Sequence, residues 1–148
     1  MIYKFEPRTM ATGLDSIDRQ HENLFELANR METLAQGYVD RVSVERALVA
    51  LRNYVSAHFV HEERMMDVYV CPLAKANKDA HGLFVEKVEE WFKRLDECKS
   101  GLEIKDLILE VNRFTGEWLT RHICRVDASL KPCVQNLQKQ TQVHDKKL

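Results

Sequence analysis

Residues 43–68 read SVERALVALRNYVSAHFVHEERMMDV, without a single Gly or Pro. Leu48, Leu51, Val55, Phe59 and Met66 recur at intervals of three, four or seven residues and lay one apolar stripe along a helix. Ser43 is a suitable N-cap, with Arg46 and Ala47 behind it. At ~1.5 Å per residue such a helix is on the order of 37 Å long. A helix of that length with one apolar face needs partners of similar length.

The flanking sequence supplies them. From Asp15, which can cap, to Tyr38 the residues Ile17, Leu24, Phe25, Leu27, Ala28, Met31 and Leu34 keep helical spacing, and Gly37 marks the end. Pro72 interrupts residues 69–75. A further helix is expected over 76–98, with Phe84, Val88, Trp91, Phe92 and Leu95 facing inward. After the turn Lys99-Ser100-Gly101, another runs from Leu102 to about His122. Pro132 is expected to stop or kink the chain, and residues 135–147 form a polar tail read as a frayed helix or linker. No stretch alternates with period two for long enough to build a sheet. The expectation is all-α: an antiparallel up-down-up-down four-helix bundle over 1–133, with a short polar helical tail or linker over 134–148.

Composition narrows the function. The 148 residues carry 22 Lys plus Arg against 23 Asp plus Glu, so there is no basic excess to neutralise phosphates, and nucleic acid is an unfavoured partner. No apolar run reaches a membrane span, and the acidic and proline residues of MIYKFEPRTM do not suit a signal peptide. The four cysteines form no CxxC pair, so neither a zinc knuckle nor a disulfide framework is expected. Together these point to the cytoplasm.

The histidines carry the chemical information. His58 and Glu62 stand at i, i+4 and project from one helix face. His21 and His81 lie inside the apolar patterns of their helices, and His122 near the end of the last. Asp127 follows His122 by five residues. Five steps rotate a side chain by ~140°, so a straight helix cannot aim both at one point, but a bend after His122 can. Each helix thus offers one imidazole. Buried together with carboxylates, these groups are costly without compensation. A transition metal supplies it, and imidazole with bridging carboxylate suits iron, zinc or manganese.

TGLDSIDRQH (12–21), HFVHEERM (58–65), HGLF (81–84) and WLTRHICRVD (118–127) closely resemble the four motif blocks of bacterial hemerythrins, from about Thr12 to Leu130. The resemblance implies a four-helix bundle holding a non-haem di-iron centre, oxo- or hydroxo-bridged, that binds O2 or small anions. It implies that His21 and His58 bind one iron, that His81 and His122 bind the other, and that Glu62 and Asp127 bridge them. It further implies an oxygen carrier or an oxygen or redox sensor, the latter joined through its C-terminal segment to an output domain of a longer protein.

One position departs from the pattern. The family's third-helix motif is HxxxHxxF, and residues 77–84 here read NKDAHGLF. Asn77 stands where the family has its fifth histidine, so the second iron is expected to hold two imidazoles and an extra open or water-filled position. The family's Trp near the N-terminus is absent as well, and Phe5 is expected to fill its packing role. His61 is read as a boundary residue, and His144, in the polar tail, is assigned no role. Phe25, Phe59, Phe84 and Trp118 are expected in the core, some of them walling the metal pocket.

Three other classes compete. A ferritin-like di-iron oxidase or peroxidase needs Glu-x-x-His on two helices, and no His here has Glu three residues before it. A zinc protease needs HExxH, whereas His61-Glu62 runs on as Glu63-Arg64-Met65. A bundle that has lost its metal and serves as an interaction module accommodates Asn77 but not the six remaining ligand-type residues.

Overall fold

The computed structural model describes residues 2–147, with side chains through residue 141; the side chain of His144 lies outside the described residues. Among them the elements are α1 (Pro7–Met10), α2 (Asp15–Gln36), α3 (Arg41–Val68), α4 (Ala74–Glu97), α5 (Gly101–Arg125), a 3-10 turn (Asp127–Ser129) and α6 (Leu130–Lys147). Helices α2 to α5 form the antiparallel bundle. Each packs on its neighbour in sequence, and α2 against α5 closes the ring.

The helix boundaries follow local chemistry more finely than the sequence suggests. Asp40, not Ser43, caps α3, its carboxylate accepting from the Ser43 backbone N–H at 2.7 Å. Asp15 is the first residue of α2 rather than its cap; Leu14 holds that place, and Asp15 and Asp18 set negative charge in the first turn. Thr12 ties down the approach to α2, its backbone N–H and hydroxyl both donating to Asp18 Oδ1 at 2.9 and 2.8 Å. Pro132 neither stops nor kinks the chain. It sits in the first turn of α6, where its missing N–H has no partner in the helix anyway.

The connection from α3 to α4 closes tightly. Val70 adopts a left-handed conformation at φ 52°. Its N–H bonds the Asp67 carbonyl at 3.2 Å, and the Cys71 N–H bonds the Met66 carbonyl at 2.9 Å. This is the Schellman arrangement, with valine where glycine is usual.

Two apolar clusters fill the interior. The larger runs along the bundle and includes Leu24, Phe25, Leu48, Phe59, Phe84, Trp91, Ile108 and Leu119. The smaller, Met66, Cys71, Leu130 and Val134 with Leu14, Val126 and Cys133 against it, joins the end of α3 to the start of α6. The N-terminal arm straps the outside: the Asn29 amide pairs with both backbone groups of Tyr3 at 2.8 Å, and the Tyr3 ring lies where a Cβ on Gly116 would fall, about 2.0 Å away.

Candidate metal centre

In an antiparallel bundle the start of α2, the end of α3, the start of α4 and the end of α5 share one end. His21, His58 and Glu62, Asn77 and His81, and His122 occupy those four places. Asp127 joins them because α5 ends at Arg125 and the chain bends through Val126 into the 3-10 turn. The expected bend is present, three residues beyond His122. All seven residues are buried, and His122, at 7 %, is the most exposed.

The inward-facing atoms are arranged around the two carboxylates. Glu62 Oε2 lies 2.9 Å from His21 Nε2 and 3.5 Å from His58 Nε2, whereas Oε1 lies 3.3 Å from His81 Nε2. Asp127 repeats the pattern, with Oδ2 3.2 Å from His21 Nε2 and Oδ1 2.9 Å from His122 Nε2. Each carboxylate therefore gives one oxygen to each half of the cluster. Two groups suited to a metal result, His21, His58, Glu62 and Asp127, and Glu62, His81, His122 and Asp127; within each, one donor atom per residue lies within 4.8 Å of the others.

Asn77 is wholly buried in this cluster. Its amide nitrogen donates to Glu62 Oε1 at 3.2 Å, and its Oδ1 accepts from His122 Nε2 at 2.8 Å. The asparagine thus occupies the position of a donor group facing the second half.

Two residues missed in the sequence orient the imidazoles from outside. His58 Nδ1 lies 2.7 Å from Gln20 Oε1, and His81 Nδ1 lies 3.0 Å from Glu63 Oε1. An acceptor at Nδ1 fixes the proton there and turns the Nε2 lone pair inward. The only signal in the sequence is adjacency: Gln20 precedes His21 and Glu63 follows Glu62. Ring stacking holds the remaining planes. Phe59 stacks on His81 with centroids 3.8 Å apart, and Trp118 on His122 at 4.4 Å. Phe84 packs against both Phe59 and Trp118, while Phe5 lies 6.4 Å from the His21 ring. His61 stays at the boundary, 3.3 Å from Ser16 Oγ.

The electrostatics are those of charge gathered out of water. Burial pushes the His58 imidazolium down to about 3, so the ring is neutral, the form that donates a lone pair. Burial also disfavours charge on His21, but Asp127 and Glu62 outweigh it and raise that group to about 9. Asp127 is the counterpart: burial raises its carboxyl, and the imidazoles of His122 and His21 pull it well below the ordinary carboxylate range. Asp127 Oδ1 is nevertheless buried without a directed hydrogen bond, as is His21 Nδ1. An orphaned carboxylate oxygen between imidazole nitrogens fits a cation. All donors are N or O and none is thiolate, the set that suits iron, zinc or manganese.

A depression of about 240 Å³ beside α5 is lined by Trp118, Arg121, His122, Arg125 and Val126. Among the described residues no helix is long and apolar enough to cross a membrane.

Known proteins resemble this chain in sequence and in fold. The hemerythrin HHE cation binding domain model matches residues 12–134. The chain is 31 % identical over 111 residues to a bacteriohemerythrin of Stenotrophomonas maltophilia, covering 75 % of this chain and 68 % of that protein. It is 30 % identical over 119 residues to a bacteriohemerythrin of Clostridium acetobutylicum, covering 78 % and 88 %. A crystal structure of wild-type hemerythrin superimposes with a TM-score of 0.74 at 27 % identity, over 90 % of this chain and 98 % of the other.

Proposed function

The chain belongs to the hemerythrin HHE cation-binding family, and from that premise we propose that it is a non-haem di-iron domain that binds O2 or a related small ligand. The observation that carries the reading is the split of Glu62 and Asp127, each with one oxygen toward either histidine group. That is the arrangement two bridging carboxylates require. In this reading His21 and His58 hold one iron, and His81 and His122 hold the other.

When bound, two irons supply exchangeable electrons and an open coordination position for a small ligand. The chain's own residues decide how that chemistry is contained. Gln20 and Glu63 hold His58 and His81 in the tautomer that points Nε2 inward. Phe59, Phe84 and Trp118 wall the cluster and keep bulk water from it. Arg121 and Arg125 line the depression beside His122 and favour anions there. The Asn77 carboxamide is a weaker iron donor than the imidazole it replaces, so the second half accepts water or a small anion more readily.

Carrier and sensor use differ in what the end of α6 joins. Residues 135–141 are exposed, in keeping with a connector, whereas Val134, expected in the tail, is buried against the bundle. A cytoplasmic setting is part of this reading, in keeping with cysteines whose spacing makes no CxxC pair or disulfide framework. The test is metal analysis with an absorption spectrum in air on protein made with ample iron. Two irons per chain with oxo-bridge charge-transfer bands are expected; one tightly held zinc, or no metal, overturns the reading.

A further inference from the structure

Of the four imidazoles in the cluster, His122 is the most exposed, at 7 %, against 2 % or less for the others. Trp118, one turn earlier on α5, stacks on it with ring centroids 4.4 Å apart and planes 13° from parallel. The Trp118 ring is half-buried and lines the depression beside His122, so a single aromatic ring spans from the imidazole to the surface. The other rings of the cluster give no such passage. Phe59, Phe84 and Trp91 are buried, and Phe5 is tilted against His21 at 6.4 Å.

The rim of this depression is cationic. Arg121 and Arg125, one turn apart on α5, are both exposed, and neither forms an ion pair among the described residues. No carboxylate lines the depression with them. Glu117, one turn before Arg121, lines a separate depression under the N-terminal arm.

We propose that this face of α5 docks a small acidic one-electron carrier protein, and that Trp118 conducts its electrons through His122 to the metal centre. The inference rests on the di-iron reading above. Two unpaired arginines around a partly exposed ring are complementary to carboxylates around an exposed redox group, which selects an acidic carrier over a cationic or apolar surface. Contacts between redox partners are small and steered by charge, so a shallow depression is enough. A small anion would be satisfied by the arginines alone and gives the stacked ring nothing to do. Each carrier loses one electron, and two successive encounters take a di-ferric centre to the di-ferrous form. The indole is neither oxidised nor reduced; it keeps its N–H, forms no bond, and shortens the distance the electron must cross.

The experiment mixes the oxidised, iron-loaded chain anaerobically in stopped flow with a reduced flavodoxin, an acidic one-electron carrier protein. Oxidised flavodoxin is titrated onto the same chain by calorimetry, to measure docking without electron transfer. The second-order rate should fall about tenfold as salt rises from about 20 to about 300 mM. Arg121→Glu combined with Arg125→Glu should abolish the binding heat and slow reduction roughly tenfold or more at low salt, with iron content and absorption spectrum unchanged. Trp118→Leu should lose most of the rate that remains at saturating flavodoxin, and Trp118→Phe, which restores a stacked ring, should recover it. Reduction that ignores both salt and the arginines overturns the proposal. So does a loss of rate in Trp118→Leu that merely tracks lost iron, or steering of dithionite by the arginines without any binding of flavodoxin. A chain without two irons defeats the di-iron reading itself, and metal analysis separates that failure from the others.

Discussion

Asn77 Oδ1 accepts a hydrogen bond from His122 Nε2 at 2.8 Å, inside a cluster where its amide nitrogen also donates to Glu62. Asn77, the residue at which the resemblance to bacterial hemerythrins implies a histidine, therefore lies in the cluster and not on the surface. Asn77 and His81 are one turn apart on α4, so a histidine at 77 would face the same cluster without a change of backbone. For Asn77→His, the metal held by His81 and His122 should be lost to a chelator roughly tenfold more slowly, and azide should bind the ferric protein more weakly. Timed chelator competition with azide titration measures both. Unchanged kinetics would mean that the residue at 77 contributes nothing to metal retention.

Glu62 touches both halves of the cluster, so its removal should not act on one metal alone. Glu62→Ala should lose both irons together in metal analysis. Retention of one at full occupancy would show that each half stands by itself and that Glu62 is no bridge.

Much of this site is legible in the sequence, and the limits are physical. The His58/Glu62 pair follows from helical geometry, because four steps return a side chain to the same face. Asp127 is harder, since five steps do not, and only the bend after Arg125 brings it in. Gln20 and Glu63 could not be assigned: a polar residue beside a buried one normally faces solvent, and which helix lies across from it depends on packing. The small apolar cluster of Met66, Cys71, Leu130 and Val134 is hidden for the same reason. It exists because α6 folds back onto the end of α3, whereas the polar composition of the tail and Pro132 both suggested a loose departure.

The orienting role of Glu63 gives a separate prediction. Its carboxylate fixes the His81 proton on Nδ1 from a position only partly shielded from water. Glu63→Ala should weaken metal binding by about 10- to 100-fold while the metal-free protein keeps its melting temperature within about 2 °C. Equal affinity in a metal titration would show that Phe59 stacking alone is enough to set the ring.

Metal removal should be felt by the whole fold. Without a cation the cluster buries the Asp127 carboxylate, one oxygen of which makes no directed hydrogen bond, among imidazoles that repel one another when charged. The metal-free protein should melt lower than the loaded one by on the order of 10 °C in calorimetry, and added iron(II) should restore it under anaerobic conditions. Identical transitions would mean that metal binding is not coupled to folding.

Val70 offers a prediction independent of any metal. It holds φ 52° at the place where the Schellman turn after α3 normally uses glycine, and its side chain is 84 % exposed. A β-branched residue in that region carries a steric cost of about 1–2 kcal/mol, and the exposed valine recovers little of it by packing. Glycine relieves the clash but adds freedom to the unfolded chain, an opposing term of roughly 0.5–1 kcal/mol. The strain is the larger, so Val70→Gly should raise stability by about 0.5–1 kcal/mol in urea unfolding with an unchanged slope. The hydrogen bonds from Val70 and Cys71 to the last turn of α3 do not involve the side chain and should persist. A loss of stability would show that the Val70 side chain is held in place by contacts whose value exceeds the strain of its backbone.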